Sequence, residues 1–95
     1  MDYILSPNAQ DSLKKIKQFS LNRFGKEQTK LYLTALKNKM ELIADDPLMG
    51  NHRPDIKEGY HSIVSGSHII FYIIKKDHIR ILDILHHSMD IMKHL

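Results

Sequence analysis

The chain has 95 residues, 42% of them hydrophobic and 26% charged, no cysteine, and a formal net charge of +3. That length suits one domain, residues 1–95, burying about 60–65% of its unfolded surface, with room for two layers of secondary structure but not three. Lack of cysteine excludes a disulfide framework or thiolate metal site, no apolar run approaches the roughly 20 residues of a membrane span, and Met1-Asp2-Tyr3 lacks the basic and apolar parts of a signal peptide. A soluble cytoplasmic protein, off the membrane, is expected.

Tyr3-Ile4-Leu5 reads as a short strand. Ser6-Pro7 then gives a helix start, a serine N-cap followed by a proline whose missing N–H does no harm at the first helical position. Ala9, Leu13, Ile16 and Phe24 share one face of the predicted helix Pro7–Phe24, with Ser20 its polar exception. Gly25 is expected to end it as a left-handed cap. A second helix is predicted from Glu27 to Ala44, stopped by Asp45-Asp46-Pro47. Tyr32, Leu36, Met40 and Ile43 form one stripe on it, and Leu31, Ala35 and Leu42 another, so it should touch both the first helix and a sheet.

Pro47 to Gly59 reads as a loop. Tyr60–Val64 is a short strand, Ser65-Gly66-Ser67 a turn, and Ile69–Ile74 and Ile79–Leu85 two long strands joined by Lys75-Lys76-Asp77-His78. The segment Ser88 to Leu95 is a candidate short helix. The expected class is α+β, in the order β-α-α-β-β-β, with a helical hairpin packed on an antiparallel sheet.

Alternation along the first long strand points Ile69, Phe71 and Ile73 to one face and Ile70, Tyr72 and Ile74 to the other. Two helices cover one face. The other is expected to keep an uncovered apolar strip of the kind that seats a partner, unless the C-terminal segment folds over it. Asp83 shares a strand face with Ile79, Ile81 and Leu85, so it should be paired, a lysine or arginine being one candidate, or reach solvent at the edge.

Charge is uneven: eight Lys/Arg stand against four Asp/Glu from Ser6 to Asp45, and six against six from Asp46 onward. The basic half suits an acidic partner. It shows no interleaved aromatics and no DNA-reading unit, which argues against direct sequence-specific recognition of nucleic acid. All seven histidines lie between His52 and His94. His86 and His87 are adjacent and on a strand should point to opposite faces, and no His-Glu-x-x-His spacing exists, so no metal is expected. An acid–base role would need His61, His68 and either His86 or His87 to converge on one sheet face. No nucleophile elbow or phosphate-cradling glycine loop is present.

Tyr3-Ile4-Leu5-Ser6 with Ala9, the Phe24-Gly25 break, and Leu48-Met49-Gly50 followed by Arg53 resemble ParE-type toxins. So do Gly59-Tyr60, Gly66-Ser67-His68 with Ile70-Phe71-Tyr72, and Leu85-His86 with Met89-Asp90. These toxins form part of the RelE/ParE superfamily of bacterial toxin–antitoxin modules, and the resemblance spans essentially the whole chain. It implies a toxin that poisons DNA gyrase by binding, without enzymatic activity or cofactor. It also implies a hetero-oligomer with a small ParD-type antitoxin, whose ribbon-helix-helix end binds DNA and whose flexible tail folds onto the toxin. DNA would then be touched only through the antitoxin.

The chain departs from that pattern where relatives place arginine, having instead His61, Ile73, Asp83 and Ser88. Two surfaces are expected to meet partners. Arg53, His61, His68 and Tyr72 would form a sheet-face patch, and His86, His87, Met89 and Asp90 a C-terminal epitope. The structural alternatives are Tyr72 in the core, Met89 stapling the tail and Asp90 capping the last turn. Two further functions remain open. One is a ribosome-dependent mRNA endoribonuclease using His61, His68 and His87, which lacks the cations such chemistry needs. The other is a non-toxic partner acting only as antitoxin co-repressor.

Overall fold

The computed structural model describes residues 1–95. In chain order it contains β1 (Asp2–Leu5), α1 (Pro7–Asp45), a short 3-10 helix (Pro47–Met49) and β2 (Asn51–His52). β3 (Tyr60–Ser65), β4 (His68–Ile74), β5 (His78–His86) and the single turn α2 (Ile91–His94) follow. The strands form one sheet in the order β1-β5-β4-β3-β2.

α1 is a hairpin. A straight helix of its 39 residues would run about 58 Å, yet the molecule's longest dimension is 37 Å. The break is at Gly25, with φ 85° and ψ 179°. This is an extended, positive-φ conformation essentially confined to glycine, not the left-handed cap expected. The Thr29 hydroxyl closes the elbow, lying 2.8 Å from Ser20 Oγ and 2.7 Å from the Gly25 carbonyl. The polar exception on the first arm therefore meets its partner inside the hairpin.

Ser6 fixes where the first arm begins. Its Oγ accepts from the Ala9 N–H at 3.0 Å and donates to the Leu82 carbonyl at 2.6 Å, while its own N–H reaches the Ile81 carbonyl at 2.9 Å. Leu82 is available because β5 bulges there: Tyr72 pairs with Ile81 and Phe71 with Asp83, leaving Leu82 unopposed. The bulge also shifts the alternation, so Ile84 joins Ile79 and Ile81 in the core beneath the helices. Leu36, Met40, Ile43 and Ala9 meet them from α1. Each large side chain buried there contributes about 1.5–3 kcal/mol.

Three expectations need correction. First, the sheet is mixed: β1 pairs parallel with β5, since the helical hairpin carries the chain back across the sheet. A fifth strand, β2, pairs with β3 inside the expected loop, and its two residues are too short to show alternation. Second, Asp83 is buried without a cation. It accepts from the Ser12 hydroxyl at 2.5 Å and the Ile84 N–H at 2.8 Å, so neutral donors satisfy it. Third, the far face of the sheet is covered in part, although Val64 on it stays 57% exposed. Phe71 and Leu85 there are buried, and the Arg53 guanidinium lies 5.8 Å over the Phe71 ring.

Several large apolar side chains are also exposed on α1. Phe19, Phe24 and Leu31 are 62%, 57% and 65% exposed, although Phe24 was assigned to the core face. Residues 22–28 are all exposed, so the elbow stands clear of the layer below it. Leu42 and Ala35, on the second predicted stripe, are exposed as well.

A candidate binding groove at the helical elbow

Between the elbow and the ends of β4 and β5 lies a groove of about 700 Å³. Phe19 and Phe24 line its helical side, His86 and Met89 the other, and Tyr32 and His68 lie between them. The strand end supplies histidine at this position because His68 and His86 are opposite each other in the β4–β5 register.

Tyr32 organises the floor. Its hydroxyl accepts from the Ser67 N–H at 3.0 Å and meets His68 Nδ1 at 2.5 Å. The phenol's own hydrogen has two acceptors in reach, the Ser65 carbonyl at 3.5 Å and His68 Nδ1, the latter when the imidazole is neutral with its proton on Nε2. Burial, reinforced by the neighbouring His86 and His87, pushes His68 down to about 4 and so favours the same neutral form. Gly66 lets the turn approach: its φ is 59°, and a Cβ there would fall 2.7 Å from the Tyr32 ring.

The other histidines gather beside it. The His68 and His86 rings meet edge to face with centroids 5.3 Å apart, and His86 and His87 lie 4.3 Å apart. Adjacent residues were expected to diverge, but β5 ends at His86 and the turn after it brings His87 round. The Ser88 N–H donates to His86 Nδ1 at 3.2 Å, and the Ser88 hydroxyl lies 2.7 Å from the same nitrogen. No group of three or more histidine, aspartate or glutamate side chains is arranged to hold a metal ion.

The expected sheet-face patch does not assemble. Arg53 is on the far face, paired with Asp55 at 3.0 Å and donating to Ser62 Oγ at 3.2 Å. That pairing raises Arg53 and holds the Asp55 carboxyl below the usual carboxylate range. His61 stacks on Tyr72 at 5.4 Å and approaches His52 at 5.2 Å, on the helix side. Tyr72 is fully buried, its hydroxyl donating to the Pro47 carbonyl at 2.8 Å, so it presents no surface. Four strand steps of β4, roughly 13 Å, separate this stack from His68, so His61, His68 and His87 do not converge. The C-terminal set divides too: His86 and Met89 line the groove with His87 beside them, whereas Asp90 caps α2 by accepting from the Met92 N–H at 3.1 Å.

Sequence reasoning missed Phe19, Phe24 and Tyr32 as groove residues. One signal was available. Phe19 and Phe24 are five positions apart, about 140° around a helix, so a single core face could not have taken both.

Titration of His68 leads to a stability prediction. Its ordinary value near 6.5 falls to about 4 on folding, so between those values the unfolded chain binds more protons and stability declines as pH falls. The contribution is fully present above about pH 6.5 and lost through about pH 4. It is worth at most about 3 kcal/mol, and about 1–2 kcal/mol after solvent screening of a half-buried ring. Denaturant midpoints measured from pH 7.5 to 4 for the native chain and for His68→Asn should converge in acid by about that amount. A constant difference across the range would contradict this account.

With the geometry in hand, the chain can be set beside known proteins. Residues 3–91 match the family described as ParE toxin of type II toxin-antitoxin system, parDE. A Toxin ParE1 from Caulobacter vibrioides is 37% identical over 93 residues, spanning 98% of this chain and 96% of that protein. A Toxin ParE1 from Mycobacterium tuberculosis is 33% identical over 94 residues with the same coverage. A solved structure described as the chromosomal ParDE TA system from P. aeruginosa superposes with a TM-score of 0.78, at 17% identity and covering 90% of this chain and 95% of that one, which shows the shared fold. A family match across nearly the whole length, joined by relatives that align end to end, identifies the chain as a member of the ParE toxins of type II toxin–antitoxin systems.

Proposed function

We propose that this chain arrests growth by binding DNA gyrase, the topoisomerase that introduces negative supercoils, and that a small ParD-type antitoxin silences it. The observation that carries the reading is the family match over residues 3–91, with both toxin relatives aligned along their whole length. Inhibition by binding also suits the geometry. The chain offers exposed apolar side chains on a basic hairpin, a surface on which an acidic, amphipathic antitoxin tail can fold. No helix is long and apolar enough to cross a membrane.

The test is a supercoiling assay with purified chain and gyrase. Loss of supercoiling or accumulation of cleaved plasmid, with RNA left intact, is the expected result. Supercoiling that proceeds normally at a large molar excess of folded chain overturns it. Degradation of messenger RNA on induction would favour the endoribonuclease, and normal growth on induction the co-repressor. Co-expression with a ParD-type antitoxin should restore growth and yield a stable complex.

A further inference from the structure

Residues 14–30 contain Lys14, Lys15, Lys17, Arg23, Lys26 and Lys30 against a single carboxylate, Glu27. All six cations are exposed, and none belongs to any ion pair of the molecule. Amid them stand the Phe19 and Phe24 rings, 62% and 57% exposed, with the Arg23 guanidinium 5.9 Å from each ring centroid. Interleaved aromatics, which the bare sequence did not suggest, are therefore present at the elbow. Both rings border the groove of about 700 Å³, which also presents Lys15, Gln28 and Ser67.

We propose that the groove at this elbow binds single-stranded nucleic acid, stacking unpaired bases on Phe19 and Phe24 and holding phosphates on Lys15, Arg23 and Lys26. Four physical requirements meet here. A base is apolar on its faces and polar at its edges, and the groove pairs aromatic walls with Gln28 and Ser67 donors and acceptors. Its volume lies within the range of small-molecule sites, about 300–1,000 Å³. Phosphates need cations that are not already engaged, and six are free within one helical turn-back. Aromatic rings alternating with such cations make a sequence-tolerant path for a single strand, whereas a duplex conceals its base faces. The contact would be direct, not made through an antitoxin, and it does not depend on gyrase being the target.

The experiment is fluorescence anisotropy with the full chain and labelled oligothymidylate or oligouridylate of about 16 nucleotides. Binding should weaken about 20-fold between about 50 and about 200 mM salt, as expected when about three phosphates are neutralised. Phe19→Leu and Phe24→Leu, which keep bulk but remove the ring, should each cost about tenfold in affinity. Lys15→Gln should reduce the salt dependence. Because all three side chains are exposed, circular dichroism should confirm an unchanged fold. Preference for one of the two oligomers would say whether DNA or RNA is the natural strand, and either supports the proposal. No binding at low salt, ring variants that bind as well as the native chain, or duplex bound as tightly as single strand would overturn it. So would an acidic helical peptide seated in the groove of a chain that ignores both oligomers.

Discussion

Replacing Ile81 with alanine should lower the free energy of unfolding by about 3–4 kcal/mol, within the usual cost of deleting a buried branched side chain. Ile81 is fully buried between β1 and β4, opposite Leu5 on one side and Tyr72 on the other. It is also the last paired residue before the bulge, and its carbonyl receives the Ser6 N–H at 2.9 Å. A cavity there loosens the strand that anchors the start of α1, leaving little scope for collapse around the gap. For a domain of this length total stability is about 5–14 kcal/mol, so the variant should retain about 1–11 kcal/mol and unfold at a clearly lower denaturant concentration. The comparison is Phe24→Ala. A ring 57% exposed at the elbow should cost under about 1 kcal/mol on removal. Denaturant titrations of both variants check the contrast, and equal losses would mean that Phe24 is packed after all.

That contrast also marks how far the sequence could be read. Ser6-Pro7 announced the first arm because capping is a local matter, decided by the serine oxygen and the N–H three residues on. Gly25 announced the elbow for the same kind of reason, since only glycine accepts its φ of 85°. The covered face of β4 followed from alternation: Ile70 and Tyr72 are where period two puts them. Most of the failures are long-range. A bulge at Leu82 is invisible to a periodic pattern, yet it places Asp83 beside Ser12, seventy-one residues away, and removes the need for a cation. Arg53 covers Phe71 from a loop whose two-residue strand carries no pattern. The expected open strip closed only in part, over Phe71 and Leu85, and the candidate patch of Arg53, His61, His68 and Tyr72 split between two faces. What remained of the candidate site was the part held together by register, His68 opposite His86, with Tyr32 brought in by the second arm. Residues that resemble the ParE toxins are spread along the chain. They identify the family through local turns and strand ends and say little about which side chains share a surface.

A second substitution with a large expected effect is Gly50→Ala. Gly50 has φ −78° and ψ 177°, ordinary extended backbone, so conformational freedom is not why glycine stands there. The reason is space: a Cβ would fall 2.2 Å from Tyr72 Oη, 3.1 Å from Tyr72 Cε1 and 2.9 Å from the Ser62 carbonyl oxygen. Tyr72 cannot yield freely, because its ring is fully buried and its hydroxyl is committed to the Pro47 carbonyl at 2.8 Å. Overpacking of about 1–3 kcal/mol and loss of a buried hydrogen bond worth about 1 kcal/mol give an expected destabilisation of about 2–4 kcal/mol. Tyr72→Phe alone should cost about 1 kcal/mol. In the double variant the nearest obstacle is gone while the Ser62 oxygen remains, so rescue should be partial, and the combined loss should fall short of the sum by about 1 kcal/mol or more. Strict additivity would mean that the strand backbone, not Tyr72, is what excludes a side chain at Gly50. The result matters beyond stability, because Tyr72 ties the sheet to the 3-10 helix that carries the exposed Leu48 and Met49. If the double variant folds but lacks the gyrase inhibition proposed above, that loop belongs to the inhibitory surface.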